Sequence, residues 1–164
     1  RSYMFKHPWL PLVPGIPLVI VALRRRNGDD PLADLRAPLK AYPSVRLFTE
    51  EASETPDAAA LSRIAQLDPD TLLVCEDATG ADGAPTSGAW RAAILDAAES
   101  LNLFDRMLIA WRGAGVTRAS ARAAGYEDGF TPEQPLADVL AILAREAITR
   151  ASYRRQGSSP PCYL

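Results

Sequence analysis

Residues 105–147, Asp105 to Ala147, read DRMLIAWRGAGVTRASARAAGYEDGFTPEQPLADVLAILAREA. Met107–Trp111 is an apolar run of strand length, too short for a buried helix. Gly113 and Gly115 follow as turn residues, and Arg118–Ala124 then reads as a short helix. The phrase Gly125-Tyr126-Glu127-Asp128-Gly129-Phe130 leads to a long final helix, Leu136–Arg150. Its apolar residues Leu136, Val139, Leu140, Leu143 and Ile148 lie mostly at helical spacing, which makes that stripe a core face.

The same alternation of strand and helix extends toward the N-terminus. Leu18–Leu23, LVIVAL, is a continuous β-branched run, the pattern of a strand buried on both faces of a parallel sheet. Pro31–Tyr42 reads as a helix with Asp29 or Asp30 as N-cap, Pro31 in the first turn and Leu32, Leu35 and Leu39 on one side. Pro38 weighs against its second half. Val45–Phe48 is a second strand, and Thr55 before Pro56 heads a helix that turns Leu61, Ile64 and Leu67 inward. Leu72–Cys75 is a third strand, followed by a loop over Thr79–Gly88 and a helix over Ala89–Leu101. Four strands alternating with helices predict an α/β fold: a flavodoxin-like (Rossmann-like), doubly wound parallel sheet in a single domain, with ligands met at the carboxyl ends of the strands. The domain is expected over residues 18–150. A Pro-rich arm, 1–17, precedes it, and a flexible tail, 151–164, follows.

Composition narrows the function. A net charge of −2 and a pI near 5.4 give no electrostatic basis for nucleic-acid binding. The opening residues hold no long apolar core and the run at Leu18–Leu23 is too short to cross a bilayer. The chain is therefore expected to be cytoplasmic, with no membrane partner. One histidine, His7, and two distant cysteines, Cys75 and Cys162, exclude the usual structural zinc sets, and no metal is expected.

The strand running into two glycines, the helix after it, the phrase Gly125–Phe130 and the closing amphipathic helix resemble the end of a cobalamin-binding domain. The resemblance is to the small subunit of lysine 5,6-aminomutase and ornithine aminomutase above all. It covers about Pro69 to Arg150, including Val74-Cys75-Glu76-Asp77-Ala78-Thr79, and it implies the flavodoxin-like fold. Similar proteins hold the corrin through a DxHxxG loop after the first strand, a Ser at the end of a later strand, and a glycine pair after the fourth. Here the loop reads Arg24-Arg25-Arg26-Asn27-Gly28-Asp29-Asp30 with no His. Cys75 stands in place of the Ser, and Ala110-Trp111-Arg112-Gly113 in place of the glycines, with the Trp side chain expected to fill the slot for the nucleotide tail. The same small subunits carry a lysine that binds pyridoxal phosphate; Lys6 and Lys40 are the candidates here, and neither lies in a matching phrase. No cofactor is expected, cobalamin included.

The emptied strand ends still gather chemistry. Glu76 and Asp77 are the candidate catalytic acid and base, and Arg24, Asp29, Asp30, Cys75, Thr79, Trp111 and Arg112 the candidate ligand-binding groups. Carboxylates beside guanidinium groups in a cleft serve proton transfer, and an aromatic wall suits a small apolar or flat substrate. Glu76, Asp77, Trp111 and Arg112 are expected to converge as rim residues, so that Glu76→Gln and Asp77→Asn leave stability almost unchanged. Three functions follow. The first is a repurposed, cofactor-free enzyme or ligand-binding protein for a small molecule. The second is a scaffolding subunit that docks on a larger aminomutase-like or biosynthetic enzyme, or on a second copy, through Trp9, Leu10 and Leu12 of the arm and the final helix. The third is a genuine cobalamin-dependent aminomutase small subunit.

Overall fold

The computed structural model describes residues 17–26, 30–56 and 58–155; Trp9, Leu10, Leu12, His7, Asp29 and the tail beyond 155 lie outside these. Five parallel strands form one sheet in the order β2-β1-β3-β4-β5. They are β1 (Leu18–Arg25), β2 (Val45–Ala52), β3 (Thr71–Cys75), β4 (Leu108–Arg112) and β5 (Asp128–Phe130). Helices α1 (Ala33–Arg36), α2 (Ala58–Leu67), α3 (Ala89–Ser100), α4 (Arg118–Ala123) and α5 (Leu136–Arg155) connect and follow them. The architecture is the flavodoxin-like doubly wound sheet that the alternation of elements predicts. Among the described residues no helix is long and apolar enough to cross a membrane.

β3 and β4 are buried along their whole length, as central strands of a parallel sheet must be when helices cover both faces. Their alternating side chains feed two cores. Val21, Leu23, Leu72, Val74, Ile109 and Trp111 pack against α2 and α3. Ile20, Ala22, Leu73, Cys75, Leu108 and Ala110 pack against the α1 segment and against Leu140, Leu143 and Ala144 of α5.

Several elements depart from the expected bounds. The helix over 31–42 breaks: α1 has one turn and Pro38–Ala41 is a 3-10 turn, because Pro38 removes a helical donor. α1 begins at Ala33 with Leu32 in the N-cap position and no side-chain cap, so Asp30 does not cap it; Asp30 accepts the Leu32 N–H at 3.1 Å in the turn before. β2 runs four residues past Phe48, carried through polar Thr49, Glu50 and Glu51 by its pairing with β1. A fifth strand, β5, emerges from the Glu-Asp-Gly-Phe phrase. α5 continues to Arg155 rather than stopping at Arg150. Leu67 and Ile148, expected inside, are exposed, the latter by 51%.

Leu140 is fully buried in the α1/α5 core. Leu140→Ala should cost about 2–5 kcal/mol, the usual cost of truncating a buried Leu, and lower the melting temperature by several degrees. An unchanged melting curve would show that α5 does not seal this face.

Candidate functional site

The carboxyl ends of β1, β3 and β4 lie side by side, with Val74 in register with Trp111 and Cys75 with Arg112. Successive strand residues point to opposite faces. Trp111 therefore belongs to the α2/α3 face and Arg112 to the α1/α5 face. The expected convergence of Glu76, Asp77, Trp111 and Arg112 on one ligand does not occur, since the sheet stands between the last two.

On the α2/α3 face, Glu76 is the centre. One carboxylate oxygen accepts from Arg25 Nε at 2.7 Å, and the other pairs with Arg91 Nη1. Arg25 also pairs with Glu54, and Arg91 Nη1 donates to Thr86 Oγ1 at 2.9 Å. The Arg91 guanidinium lies 4.0 Å above the Trp111 ring, a stacked cation–π contact. Trp111 Nε1 donates to the Glu76 carbonyl at 2.6 Å, and the Tyr126 hydroxyl donates to the Arg91 carbonyl at 2.9 Å. Burial raises the Tyr126 pKa, so that hydroxyl remains a donor at any ordinary pH. Gly113 completes the join between β3 and β4: a Cβ there would stand 2.0 Å from the Glu76 carbonyl oxygen, so only glycine lets the two backbones approach.

Glu76 was expected on the rim; its side chain is only 9% exposed, with both oxygens held by guanidinium groups. Asp77 and Thr79 do lie at the exposed rim. Asp77 Oδ1 accepts the Ala114 N–H at 2.8 Å, and Thr79 bridges Pro85 within the loop before α3.

The α1/α5 face holds the other candidates. Arg112 donates to the Pro31 carbonyl at 2.9 Å and to Asp34 Oδ2 at 3.0 Å, which pins the first loop over the sheet. Arg24 pairs with Glu51, and Asp30 pairs with Arg36. Cys75 is buried, and that burial pushes its thiol up to about 12, so it stays protonated and unreactive at neutral pH.

This face decides whether a corrin fits. In the cobalamin-binding domains that the sequence resembles, a Ser at the place of Cys75 binds the nucleotide tail, so such a tail would lie on the Cys75 side of the sheet. Trp111 is on the other side; the group that closes the Cys75 side is Arg112. The cavity between the sheet and α1 and α5 on this face, lined by Arg112, Leu73 and Leu140 among others, measures about 30 Å³. Among the described residues no cluster of His, Cys, Asp or Glu is arranged to hold a metal ion.

Open space lies elsewhere. A cleft of about 590 Å³ runs along β5 between α4 and α5, lined by Arg118, Asp128, Thr131, Arg145, Glu146 and neighbouring residues. Arg118 Nε stands 3.6 Å from Asp128 Oδ1, and Glu146 Oε1 3.1 Å from Arg150 Nε. Sequence reasoning missed this cleft because β5 went unread, and with it the edge on which the cleft is built. Arg91 was missed too, although its place beside the buried helical stripe Trp90, Ile94 and Ala98 was a readable signal.

Two measurements test this geometry. Removing one partner of a buried ion pair commonly costs about 3–5 kcal/mol, so Glu76→Gln should destabilise strongly. Asp77→Asn keeps its acceptor oxygen and should stay within about 0.5 kcal/mol of the parent. Equal melting temperatures for the two variants would return Glu76 to the rim. In a Cys162→Ser background, Cys75 should resist iodoacetamide at about pH 8 until the protein is unfolded; rapid labelling of the folded protein would contradict its burial.

No protein-family model and no curated protein matches the sequence. Solved structures do match by fold. One is described as a novel cobalamin-binding protein from Desulfitobacterium hafniense DCB-2, with a TM-score of 0.56 and 13% identity, covering 78% of this chain and 57% of that one. Another is the RcsB response regulator of Salmonella typhimurium, with a TM-score of 0.40 and 14% identity, covering 88% of this chain and 63% of that one. This chain thus spans little more than half the length of the first. The five-stranded α/β sheet is a fold shared with a cobalamin-binding protein, and at this identity the likeness concerns fold alone.

Proposed function

We propose that this chain is a small-molecule-binding domain that keeps a cobalamin-binding-like fold without the corrin, and that its ligand lies in the cleft along β5. One observation carries the reading: the cavity left between the sheet and α1 and α5 is about 30 Å³, whereas the β5 cleft is about 590 Å³, within the usual range of ligand sites. At the strand ends Glu76 then acts as a structural anchor rather than as a general acid or base. Its two oxygens are committed, and a proton-transfer group needs one that can reach the substrate. Asp77 and Thr79 remain rim contacts for anything that approaches from above.

The cleft fits a small polar molecule that carries charges of both signs. Arg118 and Arg145 line it together with Asp128 and Glu146, and Thr131 and Gln134 add polar side chains. Phe130 and Ile142 supply apolar wall. This is the lining that recognises an amino acid or a similar zwitterion.

The test is a thermal-shift series on the full chain with amino acids, simple dicarboxylates and hydroxocobalamin. A ligand at 100 times its Kd stabilises by about 2.7 kcal/mol, so a zwitterion in the cleft should raise the melting temperature. Arg118→Ala, at a 63% exposed side chain, should remove that rise without lowering the unliganded value. Hydroxocobalamin should give no stoichiometric spectral change at micromolar concentration. A pink protein that survives gel filtration would end the corrin-free reading. A rise that persists in Arg118→Ala would move the ligand out of the cleft.

A scaffolding role is the second reading, supported by Ile142 and Ile148 standing exposed on α5. It gains if no small molecule shifts the melting curve and Ile148→Glu abolishes capture of a co-purifying enzyme.

A further inference from the structure

β2 is an edge of the sheet, and among the described residues no strand lies on its outer side. Eight residues long, it presents a row of backbone N–H and C=O groups able to pair with another strand. Phe48, 41% exposed, stands near its middle, with Arg46 two residues before and Glu50 two after. Register with β1 places these three opposite Val19, Val21 and Leu23, on one face of the sheet. That face is the one covered by α2, which ends in the exposed Leu67.

The geometry points to β2 as a self-pairing edge, through which two copies of this chain join antiparallel into one continuous sheet. The occupant follows from charge and parity. A two-fold axis that keeps the sheet continuous leaves each face on its own side, so only residues of the same face oppose one another. Three such registers lie near the middle of the strand. Centring on Leu47 sets Arg46 against Phe48 and Glu50 against Ser44, and centring on Thr49 sets Phe48 against Glu50 and Arg46 against Ala52; neither brings the opposite charges together. Centring on Phe48 stacks the two rings and sets Arg46 of each copy against Glu50 of the other. Arg46 is exposed and in no ion pair among the described residues. Glu50 touches the exposed Arg63 at 3.3 Å, a surface pair of the kind that contributes little and yields to a closer partner. On the opposite face the same register sets Leu47 against Thr49 and Val45 against Glu51. The partner that complements this edge in shape and charge is the edge itself.

Sedimentation of the full chain from low to high micromolar concentration tests the pairing, with Arg46→Glu, Glu50→Arg and the double charge swap. The parent should dimerise. Each single reversal opposes like charges at two symmetric positions and should weaken dimerisation by about tenfold. The double swap should restore it, and circular dichroism should show all variants folded. A parent that stays monomeric at high concentration overturns the proposal. So does a dimer that neither reversal weakens, or a weakening that the double swap fails to repair. None of these outcomes bears on the ligand cleft, which lies at the far edge of the sheet.

Discussion

The carboxylate of Glu76 is nearly out of water, and a charge in that position is tolerated only where opposite charge and hydrogen bonds replace the lost solvent. Arg25 and Arg91 supply both, and each belongs to a different element. The demand of one carboxylate therefore ties β1 to β3 and β3 to α3. Arg91 in turn covers Trp111 of β4, whose indole returns a hydrogen bond to the Glu76 backbone. The loop before α3 is drawn in by Thr86, and Glu54 balances Arg25 at the outer end. Three strands and a helix are set by this one ion cluster, and Gly113 is the backbone condition that lets it form.

How much of the fold was legible depends on where each strand lies. β1, β3 and β4 announce themselves because burial on both faces demands unbroken apolar runs such as Leu18–Leu23 and Leu72–Cys75. β2 is an edge, so its second half can be Thr-Glu-Glu and still pair; pattern alone ends it at Phe48. β5 has three residues and a glycine, and is held by the backbone of β4 and by tight packing at Gly129, where a Cβ would meet Ala121 and the Thr117 carbonyl at 2.6 Å. No hydrophobic periodicity can reveal such a strand. The likeness to cobalamin-binding domains brought the right architecture to the phrase around Gly129 without bringing the strand itself.

At the candidate site the residue types were readable and their sides were not. Trp111 and Arg112 adjoin in sequence, and the pleat separates them by the thickness of the sheet. Once that alternation is applied, Cys75 and Arg112 fall together, as do Glu76 and Trp111. The partners of Glu76 come from β1 and from the first turn of α3, and only tertiary structure brings them to the end of β3. The missing loop histidine was visible at once, because an absence needs no geometry.

The pleat at the end of β3 has an evolutionary consequence. Val74, Cys75 and Glu76 are consecutive codons that serve alternate walls of the protein. A substitution at Cys75 or Arg112 reshapes the wall under α1 and α5 and leaves the ion cluster untouched, while a change at Glu76 or Trp111 does the reverse. Either wall can therefore change by single substitutions while the other keeps its packing. The two walls can vary independently even though neighbouring residues build them.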